Sequence, residues 1–391
     1  MIKVVLVSLL VVAAALIYVP VRQLIGVGHV LSSYGNENTE SCRLVEHPLL
    51  RGCEDGELHA ETGTIFFACA INLADRSGWF PPLELANRSV VGSGGIVAFD
   101  TKTLTPRRLA FESHDGEFTP HGIGLLPDPA DAGKLIVHAV NHRRDGSVVD
   151  MFEHTLGSTT LLRIGTARNA RLLASPNDVQ PVGRTAFYAT NDLATHGFLR
   201  QIEMLLSLRW SHVTYFERRG GADDTGAAAG GIDKWIVAAE HLAYPNGIAR
   251  SADGEHIYVS QSSGEMRVFK PRKSHTLKML GELKLPFSVD NIALDAQSGD
   301  FYLTGFGNIL GWREHVHDHS AKSPSAIIRV SHNTEQDQYY GRRYRVERLM
   351  VEDGSKASGA TVAIPDQATQ RLFIGGVFMH GILVCNLPPR K

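Results

Sequence analysis

Six residues in this chain carry side chains suited to a hard metal ion. Glu54, His121, Asn177, Asn246 and the pair Asp290-Asn291 each stand at the head of a similar short stretch. Apart from one imidazole they are oxygen donors: carboxylates and carboxamides, with no thiolate. Such a mix suits Ca²⁺, which takes about six to eight oxygen ligands, and suits Zn²⁺ poorly. Glu54 and Asp290 bring negative charge to match a dication. A second acid directly follows two of the heads, Asp55 after Glu54 and Asp178 after Asn177. If the heads reach one ion, these acids point elsewhere and can hold a second. His121 heads its stretch and His142 ends the strand that follows it. An imidazole pair beside a Lewis-acidic ion can take a proton from water, because histidine titrates near working pH. The competing reading makes Asn-Gly and Asn-Asp plain turn residues at strand junctions. That reading serves any one copy, but it does not account for the whole set with His121 in register. The chain has no G-x-S-x-G elbow, no H-E-x-x-H and no phosphate-cradling glycine loop.

The elements that must position these residues are strands. Pro245-Asn246-Gly247-Ile248 leads into a turn at Gly254 and then an alternating strand from His256 to Ser260. The same order of head, turn and strand recurs after Pro120-His121-Gly122-Ile123, Pro176-Asn177-Asp178-Val179, Val289-Asp290-Asn291-Ile292 and Ala360-Thr361-Val362. With the strand pair near Glu54-Asp55 there are six units, headed near positions 54, 121, 177, 246, 291 and 361. Six strand-rich units at this spacing predict an all-β fold, a six-bladed β-propeller over residues 41–391. In a propeller, corresponding positions of the blades converge on the central channel. Ring closure pairs strands from both ends of the chain, and so accounts for Cys42 before the first unit and Cys385 in the last strand. A disulfide there closes a loop of over 300 residues, worth about 4 kcal/mol or more in the chain-entropy model.

The composition is that of an ordinary globular chain: 391 residues, 43% hydrophobic, 20% charged, net charge −2. Neither the charge nor any basic stripe points to nucleic acid. None of the four cysteines forms a C-x-x-C pair, which argues against zinc; Cys53 and Cys69 are left without an assigned partner. Residues 1–30 hold an apolar run from Val4 to Val19, broken only by Ser8, with Lys3 before it and Pro20 and Arg22 after it. This reads as an uncleaved signal anchor, or alternatively as a cleaved signal peptide, and places the rest on the secretory side, membrane-anchored or secreted. Asn87-Arg88-Ser89 is a glycosylation sequon. Ala74 to Ser93 reads as a long exposed loop carrying Trp79 and Phe80, either a substrate lid or a packed flap. Leu199 to Phe216 reads as an amphipathic helix on the propeller face, with a membrane or lipid surface as the sharper alternative. Gly220 to Gly231 reads as a flexible loop.

These stretches together resemble the paraoxonase (arylesterase/lactonase) family. The resemblance runs from about Cys42 to the C-terminus and includes the apolar N-terminal segment. It is carried by Ser41-Cys42-Arg43-Leu44-Val45, Glu54-Asp55, Pro120-His121-Gly122-Ile123, Val140-Asn141-His142, Asn177-Asp178, Thr190-Asn191-Asp192, Asn246-Gly247-Ile248, Val289-Asp290-Asn291-Ile292 and Leu383-Val384-Cys385. It implies two calcium ions in the channel. A catalytic ion would be held by Glu54, Asn177, Asn246, Asp290 and Asn291, and a structural one by Asp55, Asp178 and the carbonyl of Ile123. It further implies a His121–His142 dyad, a Cys42–Cys385 disulfide, and membrane or lipoprotein surfaces for the helix at 199–216. The chain departs from the family at Leu193, at Gly305-Phe306 and in the extra Cys53 and Cys69. The function this implies is calcium-dependent hydrolysis of lactones or aryl esters. The alternatives are a gluconolactonase-like propeller with one metal, which Asp55 and Asp178 argue against, and a non-catalytic propeller that binds a ligand at its channel mouth.

Overall fold

Six sheets of four or five strands follow one another along the chain, antiparallel except for the edge strand Ala110–Glu112 of the second, and the structure, a computed structural model, describes residues 35–113, 116–220, 231–333, 341 and 343–390. The inner strands of blades 1 to 6 are Cys53–His59, Pro120–Pro127, Pro176–Gly183, Pro245–Arg250, Ser288–Leu294 and Ala360–Asp366. They touch one another in ring order, and the last touches the first. Blade 6 borrows its outer strand from the start of the chain: Arg43–Glu46 pairs with Gly381–Asn386. The Cys42–Cys385 disulfide locks that closure. The propeller expected from the six units is therefore the fold. The signal anchor expected over residues 1–30, and residues 221–230 of the expected flexible loop, lie outside the described residues. Among the described residues no helix is long and apolar enough to cross a membrane.

The core lies between the blades. Phe66, Ala68 and Ile96 of blade 1 pack on Ile123, Leu125 and Val137 of blade 2, and similar apolar clusters fill the other seams. Apolar residues on both faces of each sheet follow from this packing, because a blade is covered on both sides.

The inner strands share one irregularity, and it creates the channel. In every blade two inner-strand residues oppose a single residue of the second strand: Glu54-Asp55 against Ala68, His121-Gly122 against Val140, Asn177-Asp178 against Thr190, Asn246-Gly247 against Ser260, Asp290-Asn291 against Thr304, and Thr361-Val362 against Gly375. A bulge of this kind re-aims side chains that a regular strand would send to opposite faces. The heads read from the sequence are the first residues of these bulges, except that blade 5 is headed by Asp290 rather than Asn291.

The second bulge position alternates in size over blades 1 to 5, and is Val362 in blade 6. It is Asp55, Asp178 and Asn291 in blades 1, 3 and 5, and Gly122 and Gly247 in blades 2 and 4. A Cβ on Gly122 would sit 2.4 Å from the Cα of Asp178, and one on Gly247 would sit 2.8 Å from the Cα of Asn291. The glycines are there to admit the neighbouring blade. Hydroxyls then tie blades 3 to 6 each to the next: Thr190 donates to the carbonyl of Asn246 at 2.6 Å, Ser260 to that of Asp290 at 2.5 Å, Thr304 to that of Thr361, and Thr361 to that of Glu54 at 2.5 Å.

Two sequence expectations are corrected. Ala74–Ser93 is not an exposed loop. It folds as a short helix α1 (Leu73–Gly78), a two-residue strand pair Trp79–Phe80 with Leu85–Ala86, and a 3-10 turn between them. Its aromatic residues are buried, with Trp79 5% and Phe80 2% exposed. Leu199–Phe216 is not one helix either. Helix α2 (Gly197–Leu205) ends before Ser207, whose φ of 49° is left-handed, and Ser211–Arg219 is the third strand of blade 3. The β-branched and aromatic run Val213-Thr214-Tyr215-Phe216 favours the sheet over the helical period. A third helix, α3, spans Ile309–His317.

Gly122→Ala should destabilise the propeller by about 1–3 kcal/mol, the usual cost of overpacking, because the new methyl meets backbone rather than a movable side-chain end. Denaturant unfolding of the variant against the wild type measures this; equal midpoints and slopes would show that the ring relaxes freely at this seam.

Candidate functional site

The first bulge residues of all six blades, Glu54, His121, Asn177, Asn246, Asp290 and Thr361, line one cavity at the axis of the ring. All are buried. The cavity measures about 50 Å³, room for a few water-sized groups. Phe80, Leu83, Phe306, Ile309, Trp312 and Val377 also line it and make its apolar portion.

Within the set, Asn291 Nδ2 donates to Glu54 Oε1 at 2.9 Å, and Asn246 bonds the Asp290 carboxyl. Four buried oxygens are left with no hydrogen-bond partner among the described residues: Glu54 Oε2, Asn177 Oδ1, Asn246 Oδ1 and Asn291 Oδ1. Buried acceptors without donors are costly and rare in native proteins. Three of them belong to residues that line the cavity, beside the Asp290 carboxyl, and the fourth is on Asn291, which is bonded to Glu54; together they fit a cation bound by oxygen. Among the described residues no three His, Cys, Asp or Glu side chains form a metal-holding group; the fit here depends on carboxamides. The carboxyl groups agree with it electrostatically. Burial, then the charges of Asp290 and Asp55, push Glu54 well above the usual carboxylate range, and burial pushes Asp290 up to about 7.

The two histidines are in contact. His121 Nδ1 lies 2.9 Å from His142 Nε2, and His142 Nδ1 lies 2.8 Å from Ser147 Oγ. His121 Nε2 faces Glu54 Oε1 at 3.7 Å. Burial, with His142 and the guanidinium groups of Arg76 and Arg200 adding to it, drives His121 well below the ordinary imidazole value. Burial and the same arginines bring His142 down to about 3. Both rings are therefore neutral near pH 7. Phe80 sets its edge against both of them, with centroids 4.8 and 5.5 Å away, and Trp79 Nε1 donates to the carbonyl of His142 at 2.7 Å.

A family model described as Arylesterase matches residues 90–387. The chain belongs to the arylesterase family. Serum paraoxonase/arylesterase 1 of Mus musculus is 31% identical over 352 residues, 89% of each chain. Serum paraoxonase/arylesterase 2 of Homo sapiens is 28% identical over 361 residues, 90% of this chain and 92% of its own. Among solved structures, a luciferin-regenerating enzyme covers 90% of this chain and 96% of its own, with a TM-score of 0.49 and 11% identity, too remote to bear on function.

In this arylesterase-family chain the second acids, Asp55 and Asp178, form a separate pair. Their side chains are within hydrogen-bond reach of each other, which requires a proton or a cation between them. Burial raises Asp55 to about 7, and burial with the Asp55 charge raises Asp178 well above the usual range. Each also accepts from the neighbouring blade: Asp55 from the amide of Ile123 at 2.9 Å, and Asp178 from that of Ile248 at 2.7 Å. The contact seen at Ile123 is thus its N–H. Asn87 is exposed, with its side-chain oxygen accepting from Ser89.

Sequence reasoning missed several members of the arylesterase-family site. Thr361 completes the ring of heads, Ser147 ends the imidazole chain, and Cys53 and Cys69 form a second disulfide. Arg76 of α1 is buried, lies 4.1 Å from the Phe80 ring centroid and donates to the carbonyl of Pro120 at 2.8 Å. A lone arginine in a loop-like stretch gives no signal of such burial. Thr361 had one, since it headed the sixth unit.

Proposed function

We propose that the chain is a calcium-dependent hydrolase of carboxylic esters, with lactones and aryl esters as substrates. The observation that carries the reading is the set of unsatisfied buried oxygens of Glu54, Asn177 and Asn246 on one cavity, with that of Asn291 behind Glu54, beside His121 of a neutral histidine pair. Glu54, Asn177, Asn246, Asp290 and Asn291 would hold one Ca²⁺, and Asp55 and Asp178 would share a second with the Ile123 backbone. When bound, calcium at the first site polarises the ester carbonyl and stabilises the charge that develops on its oxygen.

The chain's own residues do the rest. With the Nδ1 proton of His142 donated to Ser147, His142 Nε2 accepts from His121 Nδ1, and His121 Nε2 keeps a lone pair facing the cavity. That nitrogen takes the proton of a water as the water attacks the carbonyl carbon. His142 and Ser147 hold the ring in the tautomer that can do so. Phe80 and the apolar wall of Leu83, Phe306, Ile309 and Trp312 exclude bulk water and receive the hydrophobic part of the substrate. The proton on His121 then serves the leaving alkoxide.

A partner and a location follow from the same reading. Helix α2 is inverted: Arg200 and Glu203 are buried, while Phe198 and Leu199 are 79% and 55% exposed. Trp210 just beyond it is 55% exposed. Exposed apolar groups on one helix support contact with a membrane or lipid surface. Two disulfides support a place on the secretory side.

Removing calcium with EGTA should abolish hydrolysis of phenyl acetate and of an aliphatic lactone, and added Ca²⁺ should restore it; Asn246→Ala or Asp290→Ala should leave the protein folded and inactive. Full activity after exhaustive chelation would sink the reading. His121→Gln should lower kcat by roughly 10²–10⁴, and Ser147→Ala by only about fivefold, the worth of one hydrogen bond. Unchanged hydrolysis in His121→Gln would remove the dyad from the mechanism and favour a propeller that only binds ligand. The double substitution Phe198→Ser/Leu199→Ser should reduce co-sedimentation with phosphatidylcholine vesicles while leaving turnover of a soluble lactone intact. Equal sedimentation would mean that α2 does not meet the lipid.

A further inference from the structure

We propose that the Cys53–Cys69 disulfide is a positioning clamp that aims Glu54 into the channel, a role that rests on the calcium reading of that site. The argument begins with the rung immediately before each bulge. In blades 2, 3 and 4 the inner-strand residue of this rung is a proline: Pro120, Pro176 or Pro245. Its cross-strand partner is a carboxamide: Asn141, Asn191 or Gln261. Proline fixes φ and spends no N–H on the ladder. The carboxamide oxygen instead accepts an amide of the incoming chain: Thr119 N at 2.8 Å, Ser175 N at 3.3 Å and Ala243 N at 2.8 Å. Each rung thus pins the chain where it turns into a bulge. In blades 5 and 6 the cross-strand residue is Gly305 or Gly376, and the incoming backbone presses directly on it: added Cβ atoms would lie 2.3 Å from the Ser288 carbonyl oxygen and 2.6 Å from that of Gly359.

Blade 1 has none of these devices. Its rung is Cys53 opposite Cys69, both buried and joined by a disulfide. The covalent link occupies the register position at which three sister blades place the proline and the carboxamide. The residue after Cys53 is Glu54, flanked by the charge of Asp55 and facing that of Asp290. Opposite the bulge stands Ala68, where blades 3, 4 and 5 have the hydroxyls of Thr190, Ser260 and Thr304. Blade 1 therefore carries the head most in need of restraint, and the crosslink supplies it one residue away.

A crosslink over so short a loop can also act as a simple staple, so the measurement has to separate aim from stability. Calcium titration calorimetry on the metal-stripped full-length protein does so. Cys53→Ser/Cys69→Ser should bind the tighter ion roughly tenfold more weakly, the scale of losing an outer support of a ligand. Cys53→Pro/Cys69→Asn, which installs the sister-blade rung and equally lacks the crosslink, should bind within about threefold of wild type. In a Glu54→Gln background, removing the disulfide should change the remaining affinity by less than about twofold, because the clamp acts through that carboxylate. Wild-type affinity in the folded serine pair would overturn the clamp and leave the calcium reading standing, whereas no calcium binding by the wild type would overturn both. Equal weakening of the two crosslink-free variants, or failure of both to fold, would make the disulfide a staple and refute the proposal.

Discussion

Two consecutive side chains on a strand normally point to opposite faces, and this propeller breaks that rule once in every blade. The bulge is the constraint on which the rest depends. It places six heads around one axis, and at the next position it puts a second ring of residues at the blade seams. The ladder hydrogen bonds lost at each bulge have to be replaced locally, since buried amides and carbonyls without partners are unfavourable. The replacements are visible. Second-strand hydroxyls of blades 3, 4 and 5, and the Thr361 hydroxyl of blade 6, accept the role for the carbonyls of the next blade. Carboxyl groups of Asp55 and Asp178 take amides from the blade ahead. The alternation of glycine with aspartate or asparagine over blades 1 to 5 follows from the same geometry, because backbone of the neighbouring blade occupies the space that a Cβ on Gly122 or Gly247 would need.

What the bulges bring together is electrostatically unfavourable by itself. Glu54 and Asp290 share a buried space with carboxamides that offer oxygen rather than N–H toward the cavity. Burial alone would neutralise the acids by raising their pKa values. Protonating both acids would supply two O–H donors for the three carboxamide oxygens of Asn177, Asn246 and Asn291, leaving at least one without a donor. A bound dication answers both demands at once, and this is why the amides, more than the acids, make the case for a metal.

Much of this was legible in the sequence. Pro120-His121-Gly122-Ile123 and Pro245-Asn246-Gly247-Ile248 announced the same unit although they share only proline, glycine and isoleucine, because those residues answer to backbone geometry that every blade repeats. The heads differed because chemistry, not folding, chose them. The bulge itself could not be read: a strand with one extra residue has the same local composition as one without. Helix α2 misled for a related reason. Ile202, Leu205, Leu206 and Leu208 have helical spacing, yet Arg200 and Glu203 face inward, and the chain turns at Ser207 into a blade-3 strand whose partners lie far away in sequence. The aromatic segment at Trp79-Phe80 was read as exposed because nothing local reveals that His121 and His142 would bury it.

The surroundings of the histidine pair show how a base can be kept ready at the bottom of an acidic channel. Glu54, 3.7 Å from His121, favours protonation of that ring. Two buried guanidinium groups oppose it. Arg76 reaches the pair from α1, lying over Phe80 and bonding the carbonyl just before His121; Arg200 does so from α2, held by Asp192 at 3.1 Å and by the carbonyl of Pro82 at 2.7 Å. Arg76 is the more telling of the two. Its Nε and Nη1 are buried with no hydrogen-bond partner among the described residues. Leaving guanidinium donors unsatisfied is expensive, so packing alone does not explain its presence. Its charge adds to the burial that keeps the imidazoles unprotonated, and its stacking on Phe80 lies beside both rings. The same helix-and-hairpin segment therefore covers the dyad and brings one of the charges that lower its pKa values, and those two effects reinforce each other because water exclusion strengthens every charge inside.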